Sequence, residues 1–242
     1  IVRISGGATP EVVFKAAPNA GGDRSAEITF KTYDAKGAEY TAVATLNQKG
    51  AIIAASVAQF KAAEVGDSQY RLTGVVTKLD AKGNPYIRDY SDMEPVLVYR
   101  PQGFTGKVGD IITVVGKRAE YKGVAQVANG VVEDTKVVTE VSIADFLAKE
   151  DNSNVYYMVT GTVDEIKNAV YGNMNIKGAD GSTLYLYGTH PGWGATGDAA
   201  KNFLATIGLA VGDKITVIGA KTSYNGATQM KNAIYFSHTK AQ

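Results

Sequence analysis

The residue types that perform most enzymatic and metal chemistry are scarce in this chain of 242 residues. It contains no cysteine and only two histidines, His190 and His238, which excludes thiolate sites and argues against a histidine-based triad. Asp89, Asp92 and Glu94 are close in sequence, but their spacing is not that of a calcium-binding loop, and we interpret them as a solvated hairpin turn. The sequence therefore predicts no catalytic residue, metal site or cofactor, and a protein that is not an enzyme.

Tyrosine is the residue type whose placement indicates a binding function. Only Tyr33 and Tyr40 of the 14 tyrosines precede residue 55. In the segment 184–187 leucine and tyrosine alternate, and successive side chains of a strand point to opposite faces. If the leucines face a core, Tyr185 and Tyr187 face outward, where a ring can stack on a nucleic-acid base for ~1–3 kcal/mol or on a sugar. Alternatively, the outward tyrosines pack against a neighbouring domain.

The same alternation selects the other candidate contacts. If Ile87 and Ile176 point inward, their sequence neighbours face outward beside the tyrosine-rich strand. His190 and Trp193 lie in a longer insertion, from which they could close over a ligand. The predicted ligand-binding residues are Tyr86, Arg88, Tyr99, Tyr121, Asn175, Lys177, Tyr185, Tyr187, His190, Trp193 and Tyr224.

An internal repeat must position these residues. The segment SVAQFKA at 56–62 recurs as SIADFLA at 142–148, and YRLTGVV at 70–76 recurs as YMVTGTV at 157–163. Further matches, including a Val-Gly-Asp motif, follow in the same order in both halves. Such collinear self-similarity predicts two copies of one structural unit.

Each copy is predicted to begin with a short helix and to continue as five strands. Ser56 and Ser142 are expected to be the helix N-caps. Gly74 and Gly161, in the middle of the first strand, are expected to permit a bulge that bends a small barrel. In the second copy, a further helix is predicted at 198–207, between the third and fourth strands. The strands predicted in the second copy are 157–166, 174–177, 183–187, 214–221 and 228–236.

Five short strands with a helix between the third and fourth are typical of an OB fold. The duplicated region, about residues 56–242, resembles bacterial OB-fold nucleic-acid-binding-like domains. The segments that carry the resemblance are VTGTV at 159–163, YGN at 171–173, LYLYG at 184–188 and VGD at 211–213. The resemblance implies barrels whose second and third strands bind oligonucleotides or oligosaccharides.

The first 54 residues follow a different pattern. Segments 26–32 and 41–46 alternate apolar and polar residues and are separated by the turn-like DAKG at 34–37. This region resembles the C-terminal part of a BACON-type immunoglobulin-like module. The residues that carry the resemblance are Asn19, Arg24, Ile28, Phe30 and the closing TLNQKG at 45–50. A complete sandwich needs about 100 residues, so the module is predicted to be partial.

The predicted fold class is mainly β. It comprises a partial immunoglobulin-like β-sandwich followed by two tandem OB-like five-stranded barrels, each with a leading short helix. The predicted domains are 1–54, 55–141 and 142–242.

The charge balance bears on the ligand. The chain has 25 basic and 24 acidic residues, and residues 55–141 and 142–242 are each neutral, with 11 and 8 of either sign. Nucleic-acid affinity depends largely on the neutralisation of phosphates. Neutral domains supply little of it unless their charge is segregated on one face. The net charge of these domains therefore favours a neutral glycan or a protein surface as the ligand.

Our leading hypothesis is a non-catalytic, exported bacterial binding or scaffolding protein whose partner is a glycan or glycoprotein. BACON-type modules occur in exported proteins linked to carbohydrate or glycoprotein adhesion. The resemblance thus implies a periplasmic or cell-surface location, with a lipid anchor upstream of Ile1 as an option. The first alternative is single-stranded nucleic-acid binding through the tyrosine faces, and the second is a purely structural spacer. No apolar run approaches the ~20 residues that a transmembrane helix needs.

Overall fold

Strands dominate the structure, a computed structural model that describes residues 14–19 and 22–242. They divide between two units, Ile1–Ala51 and Ile52–Gln242. The described part of the first unit contains an antiparallel hairpin of β1 (Arg24–Tyr33) and β2 (Glu39–Gln48), as the alternation predicts. A BACON-type module stays a prediction.

The second unit begins with barrel 1, which is built from residues 52–136. Its sheet order is β3-β4-β5-β6-β8-β7, and pairing of β4 with β7 closes a barrel of five strands. Its elements are β3 (Ile52–Ala54), α1 (Val57–Ala62), β4 (Gln69–Leu79), β5 (Pro85–Arg88), β6 (Val96–Tyr99), β7 (Ile111–Tyr121) and β8 (Val124–Lys136).

Barrel 2 repeats this topology in residues 138–239. Its sheet order is β11-β12-β14-β13-β10-β9, and pairing of β11 with β10 closes the barrel. A 3-10 turn (Gly197–Ala200) precedes α3. The other elements are β9 (Val138–Val141), α2 (Ile143–Leu147), β10 (Tyr156–Asn168), β11 (Asn173–Lys177), β12 (Thr183–His190), α3 (Phe203–Ile207), β13 (Lys214–Tyr224) and β14 (Ala227–Thr239).

These closed barrels confirm the predicted mainly β fold with two OB-like copies. Sequence reasoning missed β3 and β9, the short strands that pair parallel to the first strand of each barrel. In both copies this strand leads directly into the helix. The prediction of one helix at 198–207 was wrong in detail, because Asn202 has a φ of 59° and separates the 3-10 turn from α3.

The helix caps form as predicted. The Ser56 hydroxyl accepts a hydrogen bond from the Gln59 backbone N–H, and the Gln59 side chain accepts one from the Ser56 N–H. This reciprocal capping box satisfies two N–H groups that have no partner within α1. Ser142 caps α2 by accepting from the Asp145 N–H.

Strand alternation places the leucines and isoleucines as predicted. Leu184 and Leu186 of β12 are fully buried, as are Ile87 of β5 and Ile176 of β11. The side chains on one side of the strands therefore fill each barrel, and those on the other side face outward.

The predicted bulges lie a few residues after the glycines. The register shifts where β4 pairs with β5, between Val76 and Lys78, and the matching shift in barrel 2 lies between Val163 and Glu165. Gly74 has another role, because a Cβ atom there would lie 2.8 Å from the Arg88 carbonyl oxygen. The glycine thus permits the close approach of β4 and β5.

The two barrels pack on each other through an apolar cluster. Val75 and Ile111 of barrel 1 lie in one buried cluster with Val138, Ile218 and Ile234 of barrel 2. Both barrels consequently belong to the same unit. Within the described residues, no helix has the length and apolarity needed to cross a membrane.

Candidate functional site

The outer surface of β5 and β6 carries the first group of predicted contacts. Tyr86 lies opposite Leu97, and Leu97 lies opposite Gln126 of β8. These side chains and Tyr99 are partly exposed, whereas the alternating Val96 and Val98 fill the core. Tyr86 and Tyr99 therefore lie on the second and third strands of barrel 1, the surface that OB folds use for oligomeric ligands.

Two turns flank this surface. In the turn at 80–84, the Asp80 carboxylate accepts hydrogen bonds from the Lys82 and Asn84 backbones and from the Asn84 amide. The Asn84 bonds are the main reason why the pKa of Asp80 is lowered. The Asn84 side-chain oxygen accepts from the Arg100 N–H at 2.9 Å, which fixes the turn against the end of β6. The turn between β7 and β8 exposes Tyr121.

A cationic group lies over each of these tyrosine rings. The Lys78 ammonium is 4.4 Å from the centroid of Tyr86. The Arg100 guanidinium is 5.1 Å from the ring of Tyr99, and the Lys122 ammonium is 5.5 Å from that of Tyr121. These separations are within the range of cation–π attraction.

Most other basic residues of barrel 1 already have a partner. Six of the 11 in residues 55–141 form ion pairs with carboxylates, and Arg88 is buried. The remaining four, Lys78, Lys82, Arg100 and Lys122, are not buried and have no ion-pair partner in the described part of the chain. We call these four residues, together with Tyr86, Tyr99 and Tyr121, the cationic tyrosine face. Three of the four unpaired cations of this neutral barrel thus lie over tyrosine rings of the second and third strands or of the β7–β8 turn.

Sequence reasoning missed the four cations of this face. Two of them directly follow a predicted tyrosine, as Tyr99-Arg100 and Tyr121-Lys122, and this adjacency was the available signal. Lys78 could be found only from the pairing of β4 with β5, which places it opposite Tyr86.

Arg88 lies under barrel 2 rather than on an open surface. It is 8% exposed, and its guanidinium donates to the carbonyls of Tyr235 at 2.8 Å and Phe236 at 3.0 Å. Burial lowers the pKa of Arg88. The predicted ligand contact at Arg88 is therefore corrected: strand parity turns the side chain outward, but the second barrel covers it.

Barrel 2 presents an equivalent surface, on which no cation lies over a tyrosine ring among the described residues, although Lys177 and Lys231, which lies opposite Tyr187, have no ion-pair partner there. Tyr185 and Tyr187 point outward, with ring centroids 6.4 Å apart, and Asn175 lies opposite Tyr185. The Asn175 amide donates to Glu165 at 3.3 Å. Lys177 at the end of β11 is exposed, as is Tyr224 at the β13–β14 turn.

His190 and Trp193 both line one cleft. The cleft has a volume of about 440 Å³, and the Trp193 ring packs on Tyr156 with centroids 5.8 Å apart. His190 is partly buried, and this desolvation lowers its pKa. The 11 predicted residues thus fall into the barrel 1 face, the barrel junction, the barrel 2 face and this cleft.

The acidic cluster after β5 has a structural role. The Asp89 carboxylate accepts from the backbone N–H of Val57 at 2.9 Å and from Ser91, so it stabilises the start of α1. Asp92 pairs with Lys61 at 3.0 Å. In the described ranges no three His, Cys, Asp or Glu side chains are grouped to hold a metal.

Comparisons with known proteins give only distant similarities. No protein-family model matches the sequence, and no curated protein matches it. Among solved structures, a deletion mutant of the single-stranded DNA binding protein from Thermus aquaticus is 12% identical, with a TM-score of 0.25, over 91% of this chain and 82% of that one. The protein described as Drosophila Unr CSD456 is 13% identical, with a TM-score of 0.22, over 72% of this chain and 63% of that one.

Proposed function

We propose that barrel 1 binds single-stranded nucleic acid through the cationic tyrosine face. The observation that carries the proposal is the placement of unpaired cations over tyrosine rings. Of the four described cations of barrel 1 that have neither a carboxylate partner nor burial under barrel 2, three lie over the rings of Tyr86, Tyr99 and Tyr121.

The chemistry of this face matches that of a single strand. Tyrosine rings provide stacking platforms for bases, worth ~1–3 kcal/mol per base, and neighbouring cations follow the phosphates. The location agrees with this role, because OB folds bind through strands two and three and the two flanking turns. The zero net charge of barrel 1, taken alone, argues against nucleic-acid binding. In this proposal the unpaired cations of the cationic tyrosine face make the phosphate contacts that such binding needs.

The salt dependence of binding tests this proposal. We expect a labelled single-stranded oligonucleotide to bind with an affinity that falls as salt rises. Four phosphate contacts, at about −0.7 each for a single strand, give a log–log slope of roughly −3. Fluorescence anisotropy over a salt series measures this slope. Absence of binding at low salt would contradict the proposal and favour the structural-spacer alternative.

Substitutions locate the binding surface. The double variant Tyr86→Ala/Tyr99→Ala should weaken binding at least tenfold, because two stacking platforms are lost. Arg100→Gln should reduce the salt slope by about 0.7. The matched controls are Tyr40→Ala, an exposed tyrosine of the first unit, and Lys117→Gln, whose ammonium already pairs with Asp67.

The glycan hypothesis predicts different results. A neutral oligosaccharide should bind with little response to salt, and binding should depend on Tyr185 and Tyr187. Glycan binding that disappears in Tyr185→Ala/Tyr187→Ala, without any oligonucleotide binding, would replace our proposal by that alternative.

A further inference from the structure

The cleft beside Trp193 is separate from the cationic tyrosine face and shares no residue with it. The rings of Tyr156, His190 and Trp193 contribute to its lining, as do Lys231 and Asn232 of β14. We call it the Trp193 cleft. Its volume of about 440 Å³ lies in the range of small-molecule sites.

The barrel junction holds the tryptophan side of this cleft in place. The Trp193 carbonyl accepts a hydrogen bond from the Tyr90 N–H of barrel 1 at 3.2 Å. Gly192 lies against the backbone of Asp89, where a Cβ atom would come within 2.4 Å. Trp193 also packs on the apolar junction cluster that contains Ile218. The segment is thus clamped between both barrels, and the site is preformed.

The lining combines aromatic rings, neutral polar groups and one cation. Ser153 and Thr222 provide hydroxyls and Asn232 provides an amide, while the lining contains no aspartate or glutamate. The Lys231 side chain has no ion-pair partner among the described residues. Burial favours the neutral form of His190. Such a lining fits a ligand with a flat ring and a single anionic group.

We infer that the Trp193 cleft binds a mononucleotide-like ligand, a heterocyclic ring joined to a phosphate. The ring would lie against the aromatic wall of Trp193 and Tyr156, and the phosphate would meet the Lys231 ammonium. This inference is independent of the function proposed for barrel 1.

Intrinsic fluorescence tests the inference directly, because Trp193 is the sole tryptophan of the chain. Titration of the full chain with adenosine monophosphate should change this fluorescence in a saturable way. Adenosine should bind more weakly, and inorganic phosphate or a neutral disaccharide should have no effect. Isothermal titration calorimetry with adenosine monophosphate provides a second readout that does not depend on the emission of Trp193.

The variant Lys231→Gln identifies the phosphate contact. Loss of one charge-assisted contact should weaken adenosine monophosphate binding about tenfold and leave adenosine binding unchanged. The matched control Lys214→Gln removes another unpaired lysine of barrel 2, outside the cleft, and should have no effect. Tyr86→Ala/Tyr99→Ala should also bind adenosine monophosphate normally, which separates this inference from the function of barrel 1.

Three outcomes would overturn the inference. The first is the absence of saturable binding in both fluorescence and calorimetry. The second is an equal affinity of Lys231→Gln and the unchanged protein for adenosine monophosphate. The third is competition by a neutral sugar at the same concentration, which would assign the cleft to carbohydrate instead.

Discussion

The aspartate of the repeated Val-Gly-Asp motif has the same role in both barrels. Asp110 accepts hydrogen bonds from the backbone N–H groups of Lys107 and Val138. Asp213 accepts from those of Ala210 and Ala241. Each carboxylate thus joins the segment before the fourth strand to the chain beyond the fifth strand. The repeat identified these residues, but one partner of each, Val138 or Ala241, is 28 residues away in sequence.

The ionisation of Asp213 should govern part of the acid stability. Hydrogen bonds from Ala241 and Ala210, together with Lys240, lower its pKa from 3.8 to about 2. A lowered carboxyl pKa stabilises the fold above the unfolded value, and this stabilisation is lost as pH falls towards 2. We expect the free energy of unfolding of the unchanged protein, measured in urea, to fall between pH 4 and 2. The corresponding fall in Asp213→Asn should be smaller.

Asp164→Asn provides the control for this prediction, because it replaces an exposed aspartate of the same barrel. Its acid profile should match that of the unchanged protein. Identical profiles for Asp213→Asn and the unchanged protein would show that the carboxylate does not contribute.

The first strand of each barrel depends on a glycine that lets the next strand approach. A Cβ on Gly161 would lie 3.1 Å from the carbonyl oxygen of Lys177, and the corresponding distance from Gly74 to Arg88 is 2.8 Å. Because the neighbour at Gly74 is backbone, no side-chain rotation can relieve the contact. The sequence located these glycines in the strands, and the pairing of β4 with β5 supplies the reason.

Gly74→Ala should therefore destabilise barrel 1. Overpacking of this kind costs roughly 1–3 kcal/mol in the free energy of unfolding, which denaturant titration measures. The control Gly66→Ala has open space around the added methyl group and should change stability by about 0.5 kcal/mol or less. Equal stability of the two variants would be inconsistent with this close approach of β4 and β5.

The two barrels act as one body because both apolar and polar contacts join them. Arg88 crosses the junction to the carbonyls of Tyr235 and Phe236, beside a cluster that includes Val138 and Ile234. The same junction clamps the segment that contains Trp193. The shape of the Trp193 cleft is therefore a property of the paired barrels.

Arg88→Ala should weaken the coupling between the barrels. Hydrogen bonds to a charged group contribute about 1.5–3 kcal/mol, so we expect a lower unfolding midpoint and a broader or divided transition in calorimetry. The control Arg71→Ala removes an exposed pair with Glu133, and exposed pairs contribute about 0–1 kcal/mol. An effect of Arg88→Ala no larger than that of Arg71→Ala would argue against this coupling.

The sequence by itself determined the duplication, the strand alternation and the helix caps, because these depend on residues that are near one another in the chain. Leu184 and Tyr185 take opposite faces through the geometry of a single strand, and Ser56 reaches a donor three residues away. Only the tertiary structure decided which cations are free. Arg71 of β4 forms an ion pair with Glu133 of β8, whereas the Arg100 guanidinium lies over the ring of Tyr99. Amino-acid composition does not distinguish these two arginines. The burial of Arg88 and the shape of the Trp193 cleft likewise depend on the packing of both barrels, which the sequence does not show.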